Sequence, residues 1–481
     1  MTPRARGQHV HFVGIGGAGL SALARVMLGR GWRVSGSDRE ASPRLEALRE
    51  AGVRVHVGHS AEHVGNADLV VVSSAVPPDN PEVVAARERG IPVYKRAQLL
   101  PQLTRGFDVI AVAGTHGKTT TTAMIALVLV EAGHDPTVIV GGDVPQLGGN
   151  ARVGRSPLFV LEADEYDYAF IGLEPFVAVV TNVEHDHPDI FADQREVWRA
   201  FARFVSRIRA EGALVVCHDD LGARSLPAKA SAKAITYGTG PGVIWQATDL
   251  RPNAFGGTDF ALSRRGEPVG TFRLRVPGHH NVLNAVAAIA VADYVGVKPS
   301  DAGATIERFA GVARRFEHVG RVGRVDIFDD YAHHPTEVEA TLRAARQRFG
   351  RRPVWVVFQP HTFSRLAALF DRFVGAFAQA DRVIVTEVYA AREADTFGAS
   401  AQDLASRLQG PPATYAPTQE AALDLLLREA PEDAVILIMG AGDITALGPR
   451  LRHALEARGR TLSEAPGNGA EEKSVGGRAR D

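Results

Sequence analysis

The chain has 481 residues, too long for one ordinary core and long enough for about three domains at roughly 150 residues each. An apolar fraction of 45%, a charged fraction of 23% and 49 glycines point to an α/β protein rather than a disordered or fibrous one. A net charge of -1 argues against whole-chain attraction to nucleic acid, and a single cysteine, Cys217, excludes an internal disulfide or a cysteine-ligated metal cluster. Small-molecule partners are therefore expected. Met1 to Gln8 shows no apolar signal region, and no stretch approaches the roughly 18 apolar residues of a membrane span. A cytoplasmic protein with no membrane association is the expectation, as a monomer or weak homodimer.

In chain order, His9 to Val13, Leu20 to Leu28, Arg33 to Ser35, Ser42 to Glu50 and Leu69 to Ser73 alternate strand and helix patterns, which predicts a parallel sheet over residues 1–105. A second unit, 106–315, opens with the strand Val109 to Ala113 and a helix from Lys118 to Ala132. It continues through strands at Leu158 to Leu161, Val177 to Thr181 and Ala213 to Cys217, a helix near Arg195 to Ile208, and a closing helix from Asn281. Between Ile244 and Val276, apolar and polar residues alternate with glycine turns, predicting a small antiparallel insertion. A third β-α series over 316–464 has strands at Val325 to Asp329, Val354 to Phe358, Val383 to Thr386 and Val435 to Met439. The tail, 465–481, is Gly-rich, charged and aperiodic, so disorder is expected there.

Two glycine-rich turns carry chemistry. Gly14, Gly16, Gly17 and Gly19 form a G-x-G-x-x-G between a strand and a helix, with Asp38 ending the next strand. Such a turn lets backbone amides meet a diphosphate while the acid accepts a hydroxyl, but it does not separate a dinucleotide from a UDP-sugar. The second turn, Gly114-Thr115-His116-Gly117-Lys118-Thr119-Thr120, follows an apolar strand. Its amides and Lys118 suit ATP phosphates and the Thr119 hydroxyl suits Mg²⁺, although Val112 stands where the first P-loop glycine usually falls. Thr120 to Thr122 are expected to cap the helix.

Downstream, strand ends carry Glu162-Ala-Asp164-Glu165 and Asn182-Val-Glu184-His185-Asp186-His187. In a parallel sheet these ends share the P-loop edge, and acids gathered beside ATP call for a bridging cation. From chemistry alone His187 is as readily a hydrogen-bonding imidazole as a ligand. Gly278-His-His280-Asn281 begins a helix, and the polar segments after Asp329 and Gln359 are read as two neighbouring strand ends forming a substrate site, with Arg365 suited to a carboxylate.

Taken in order, these motifs, together with Glu387-Val-Tyr-Ala-Ala391 and Gly440-Ala-Gly-Asp443, resemble the Mur ligase family from about Val10 to Leu462. The resemblance implies three domains: a Rossmann-like N-terminal domain for the UDP part, a central P-loop ATPase-type α/β domain, and a Rossmann-like C-terminal domain that delivers an amino acid. It implies that ATP phosphorylates the carboxylate of UDP-N-acetylmuramate and that the amine of L-alanine attacks the acyl phosphate, in peptidoglycan precursor synthesis. By the same resemblance Thr119, Glu162 and His187 match magnesium positions, and Asn281 matches an adenine contact. Tyr331, His333, His361 and Arg365 match the amino-acid side, so that Lys118, Glu162, His187, His333 and Arg365 are the expected catalytic set. Thr362 stands where some relatives carry Arg, which places more weight on Arg365. The helix after His187 offers Arg195, Arg199, Arg203, Arg207 and Arg209 but no lysine for carbamylation. The competing readings are a nicotinamide-dependent oxidoreductase, a ligase adding a preformed tripeptide, and a non-catalytic nucleotide-binding protein.

Overall fold

The computed structural model describes residues 7–391, 393 and 397–464; the expected disordered tail lies outside them. Three sheets follow one another along the chain. The first is all parallel, in the spatial order Arg54–Val57, Arg33–Asp38, His9–Val13, Leu69–Val72, Val93–Lys95. Its middle strand His9–Val13 is buried along its whole length, as a strand with parallel neighbours on both sides must be.

The central sheet has ten strands, and its heart is Val177–Val180, Asp108–Ala113, Leu158–Glu162, all parallel. The P-loop strand is thus flanked on either side by the two strands whose ends carry the acidic motifs. The antiparallel segment is present as Trp245–Pro252, Thr258–Arg264 and Glu267–Arg273, and it continues the same sheet through a short parallel pairing with Lys233–Gly238. At the other edge lie Thr137–Val144 and Gly149–Arg152, an antiparallel pair that the sequence pattern concealed because glycines interrupt it.

The C-terminal sheet runs Glu317–Val322, Val325–Asp330, Val435–Met439, Val354–Phe358, Arg382–Val385, Ala413–Tyr415, antiparallel only at its first pair. Here the sequence expectation needs correcting. The strand ends after Asp329 and Gln359 are not neighbours, because Val435–Met439 inserts between them; the crossover order of a doubly wound sheet is not visible in local pattern.

The apolar cores do not follow the three-sheet division. One continuous core joins Val10, Phe12 and Leu23 of the first unit to Phe159, Phe201 and Leu214 of the central one. The seam is made by helix Ala18–Gly29, which packs on the Thr137–Val144/Gly149–Arg152 pair, where Asn150 Nδ2 donates to Ala18 O and Ser21 Oγ, both at 3.0 Å. The C-terminal unit has its own cores, one on each face of its sheet. Among the described residues no helix is long and apolar enough to cross a membrane.

Phe201 is fully buried in the shared core with its ring 5.2 Å from that of Phe170. Phe201→Ala is expected to cost about 3–5 kcal/mol, through lost transfer energy and a cavity. Urea unfolding followed on the transition of the N-terminal and central units measures this.

Candidate active site

The phosphate loop is a backbone construction. Gly114 has φ 142° and Gly117 has φ 80°, both outside the range of ordinary side chains, and a Cβ on Gly114 would run into the Thr181 hydroxyl. Gly117 is the N-cap of helix Lys118–Glu131. The threonines expected to cap it do otherwise: Thr122 Oγ1 donates back to Lys118 O at 2.8 Å, and Thr121 Oγ1 donates to Asn284 Oδ1 at 3.0 Å. A glycine at the cap position leaves them inside the first turns, where Thr hydroxyls turn to nearby acceptors.

Lys118 Nζ donates to both carboxylate oxygens of Glu165 at 2.9 Å, to Gly114 O at 2.6 Å and to Thr115 O at 3.2 Å. Burial works against its charge, and the carboxylates of Glu165 and Asp164 more than offset that, so its pKa is raised. Glu162 accepts the Gly141 amide, with the Thr119 hydroxyl also a partner, and burial pushes its carboxyl up despite Lys118 and Arg96. His187 faces Glu165 at 3.9 Å and Asp186 at 3.8 Å, with its ring 5.0 Å from Tyr166. The three expected metal positions thus form two groups, Thr119 with Glu162 and His187 with Glu165, around the one lysine.

The C-terminal unit closes over this edge. Arg365, almost fully buried, donates from Nε to Asp186 Oδ1 at 2.7 Å and from Nη1 to His361 O at 2.5 Å, while Nη2 lies 3.4 Å from His187 Nδ1. Its guanidinium holds Asp186 well below the carboxylate range in spite of burial. His333 Nδ1 lies 2.8 Å from Tyr331 O, a carbonyl that can only accept, so Nδ1 carries the proton and Nε2 the lone pair. Burial lowers His333 to about 3 and His361 to about 4, leaving both neutral near pH 7. Their rings are 5.9 Å apart, and His361 stacks on Tyr389 at 5.6 Å. Tyr331 lies under Arg314 and Arg315, at 4.9 and 5.0 Å. Thr362 points elsewhere, donating to Glu393 Oε1 at 2.8 Å.

Beside the loop is a cavity of about 230 Å³ lined by His116, Thr119, Thr120, Asn281, Asn284 and Phe309 among others. Asn281 holds its place through Nδ2 to Pro277 O at 2.7 Å and by accepting from Asn284 Nδ2 at 3.2 Å. The cavity thus lies directly beside the phosphate loop, with both polar and apolar side chains in its walls.

The first turn sits on the N-terminal sheet. Gly14 N and Ile15 N donate to Ser37 O, at 2.8 and 3.0 Å, and Asp38 Oδ2 accepts Gly16 N at 2.8 Å. Asp38, expected to meet a ribose hydroxyl, therefore has one oxygen holding the turn itself. Gly19 faces Arg96, which also reaches Asp164 at 3.3 Å. Below the turn, Ser37 Oγ donates at 2.5 Å to Glu82, which is wholly buried and also has Ser60 N, His11 and His63 as partners at 3.2, 3.2 and 3.0 Å.

Sequence reading missed Glu165, Asp186 and Glu82 as individual site residues, and Glu184 and Glu337 as a pair. Glu165 and Asp186 lay inside quoted motifs, and their charge beside a P-loop was the available signal. Glu82 and Glu337 sit in first helical turns, where an acid is ordinary.

Three family models match the chain: "Mur ligase family, catalytic domain" over residues 9–108, "Mur ligase middle domain" over 112–292, and "Mur ligase, glutamate ligase domain" over 314–442. Among similar proteins, the UDP-N-acetylmuramate–L-alanine ligase of Frankia casuarinae is 47% identical, covering 94% of this chain and 98% of its own. That of Solibacter usitatus is 44% identical over 95% and 97%. Of solved structures, the UDP-N-acetylmuramate–alanine ligase of Thermotoga maritima superposes with a TM-score of 0.80 at 31% identity over 94% of this chain and 99% of that one. A murein peptide ligase from Psychrobacter arcticus gives 0.73 at 27% over 93% and 99%.

Glu82 supplies a pH test of the first turn. Burial alone would raise its carboxyl, but hydrogen bonds from His11, Ser37 and His63 outweigh this and hold it at about 2. A depressed folded value means the stabilisation is complete above the unfolded value of roughly 4.3 and is lost as pH falls toward 2, on the order of 3 kcal/mol in all. Glu82→Gln is expected to remove that portion of the acid-side slope in unfolding free energy between those limits, measured against the unsubstituted protein.

Proposed function

This chain belongs to the Mur ligase family, and from that premise and the site's geometry we infer that it joins L-alanine to the carboxylate of UDP-N-acetylmuramate at the expense of ATP. The observation that carries the inference is the convergence of a phosphate loop with Lys118, a buried acid group and a neutral His333–His361 pair from another unit on one edge. Identities of 40% or more over nine-tenths of the chain to proteins named for that reaction support the choice of alanine. A nicotinamide oxidoreductase would leave the second phosphate site without a use, and the neighbour titled a murein peptide ligase superposes less closely than the alanine ligase, with a TM-score of 0.73 against 0.80.

In the proposed reaction the UDP portion lies at the Gly14–Gly19 turn, where the amides of Gly14 to Gly17 hold the turn itself and the N-terminus of helix Ala18–Gly29 favours a diphosphate. ATP lies with its base in the cavity beside Asn281 and its phosphates at the N-terminal amides of helix Lys118–Glu131, since those of Thr115 and His116 are held by Asn182. A carboxylate approaching the γ-phosphate meets like charge, and Lys118 supplies the nearest compensating cation once it exchanges Glu165 for phosphate. Burial raises the Glu162 carboxyl even with Lys118 and Arg96 acting against it, and a cation beside it would offset that burial. Oxygen donors in that state fit a hard divalent cation, and Thr119, Glu162 and His187 would hold Mg²⁺, which when bound screens phosphate charge. Transfer makes an acyl phosphate and ADP. The alanine amine, as its neutral form, then attacks the acyl carbon, the C–O bond to phosphate breaks, and the departing phosphate takes the proton that the nitrogen sheds, leaving the amide.

Each C-terminal residue has a matching task. His333 Nε2, with its lone pair outward and its low proton affinity, accepts a hydrogen bond from the amine and orients it rather than holding its proton. Arg365 is the cation placed for the alanine carboxylate, which would compete with Asp186 for it. We place the reaction in the cytoplasm, where ATP is supplied.

Phosphate release measured with ATP, Mg²⁺, UDP-N-acetylmuramate and single amino acids is expected to require L-alanine; turnover with a tripeptide and none with alanine would reject the assignment. Lys118→Ala is expected to lower kcat by at least about 10³-fold while UDP-substrate affinity, seated on another sheet, stays within about twofold.

A further inference from the structure

His116 lies in the phosphate loop, yet its side chain leaves that loop. Its backbone is pinned: the amide donates to Asn182 Oδ1 at 2.8 Å, and the carbonyl accepts from Thr181 Oγ1 at 2.6 Å and Asn182 Nδ2 at 3.1 Å. The ring is thereby aimed at the C-terminal unit. Nε2 lies 3.0 Å from Glu184 Oε2, and Nδ1 lies 3.2 Å from Glu337 Oε1, which belongs to the first turn of helix Pro335–Phe349. Ionised carboxylates only accept, so the ring must donate from both nitrogens, which requires the imidazolium. Consistently, although burial would lower its pKa, the two carboxylates hold it at about 9.

The same two acids are gripped from the C-terminal side. Glu184 accepts from Thr336 Oγ1 at 2.9 and 2.8 Å and pairs with Arg372 at 2.7 Å. Glu337 accepts His333 N at 3.1 Å and has Arg315 at 3.6 Å. One loop side chain therefore sits at the centre of a charged seam that exists only when the C-terminal unit is in place.

A metal reading of this cluster competes, because ligand atoms of His116, Glu184 and His334 lie within 4.8 Å of one another. The hydrogen bonds argue against it. His334 accepts Thr336 N on Nδ1 at 3.3 Å and faces His185 O with Nε2 at 3.2 Å, so both of its nitrogens, like both of those of His116, already have protein partners.

We infer that His116 is a positioning residue: docking of Glu337 onto its second nitrogen ties the phosphate loop to the closed C-terminal unit, so that phosphoryl transfer proceeds only when the amine-delivering side chains have arrived. The inference rests on the ATP-dependent ligase reading above. It also explains why His333 and Glu337 are adjacent on one turn: the amine-orienting residue and the loop-gripping residue move as one piece.

The test is a double-mutant cycle on the full chain with His116→Gln, Glu337→Gln and the pair. Each single change is expected to lower kcat about tenfold or more, with the KM for the UDP substrate unchanged, and the pair is expected to be no worse than the poorer single, a coupling of about tenfold. Losses that simply multiply, or a Glu337→Gln enzyme with unchanged kcat, would overturn the latch. Small-angle scattering gives a second readout that is independent of turnover. With a non-hydrolysable ATP analogue the unsubstituted protein is expected to contract and Glu337→Gln to contract less, while equal contraction would again overturn it. Absence of any turnover by the unsubstituted protein would instead sink the ligase reading, and the scattering contrast would still decide the latch.

Discussion

A buried ammonium needs anions around it, and the site is organised by how that need is met at Lys118. Its partner Glu165 is itself buried and approached by His187; His187 touches the Arg365 guanidinium, and Arg365 is neutralised by Asp186. Opposite charges meet at Lys118–Glu165 near the phosphate loop and at Arg365–Asp186 on the C-terminal side, with the His187 ring between the two pairs. Removing one member of either ion pair would strand a buried charge, which costs far more than the pair gains over an apolar alternative. This dependence explains why acids occupy both strand ends beside the P-loop. The same chain of pairs spans the distance between the place where phosphate is transferred and the place where an amine is delivered.

The parts legible in the sequence were those written in local constraints. Gly114 and Gly117 announced themselves because positive φ and close approach exclude a side chain, and the strand–turn–helix pattern around them fixed their setting. The parallel sheets followed from uninterrupted apolar runs. What escaped was non-local. The insertion of Val435–Met439 between two earlier strands depends on a crossover roughly a hundred residues long, and no window of sequence records it. Glu337 reads as an ordinary first-turn acid until its partner, 221 residues earlier, is seen beside it. Asp38 shows the converse, a motif residue whose local role, holding Gly16 N, was hidden behind its familiar ligand role.

The N-terminal turn is stiffened by hydrogen bonds from its own sheet. Ser37 serves it twice, its carbonyl receiving two amides of the turn and its hydroxyl bonding a carboxylate that several further donors hold in the interior. Buried polar networks of this kind are costly unless complete, and Glu82 has a partner for each oxygen. The N-terminal turn is thus fixed by bonds within its own unit, whereas the C-terminal unit meets the phosphate-loop edge through ions and hydrogen bonds.

That asymmetry is already present in the cores. Because one apolar core runs through the first two sheets, separating them would expose the faces of Phe12, Leu23 and Phe159, whereas the C-terminal sheet keeps its own cores and meets the others at the active edge through ions and hydrogen bonds. In cohesive terms the chain is two bodies rather than three. A truncation near residue 313 would leave every core of the first two units whole, while one near residue 106 would divide the core that they share.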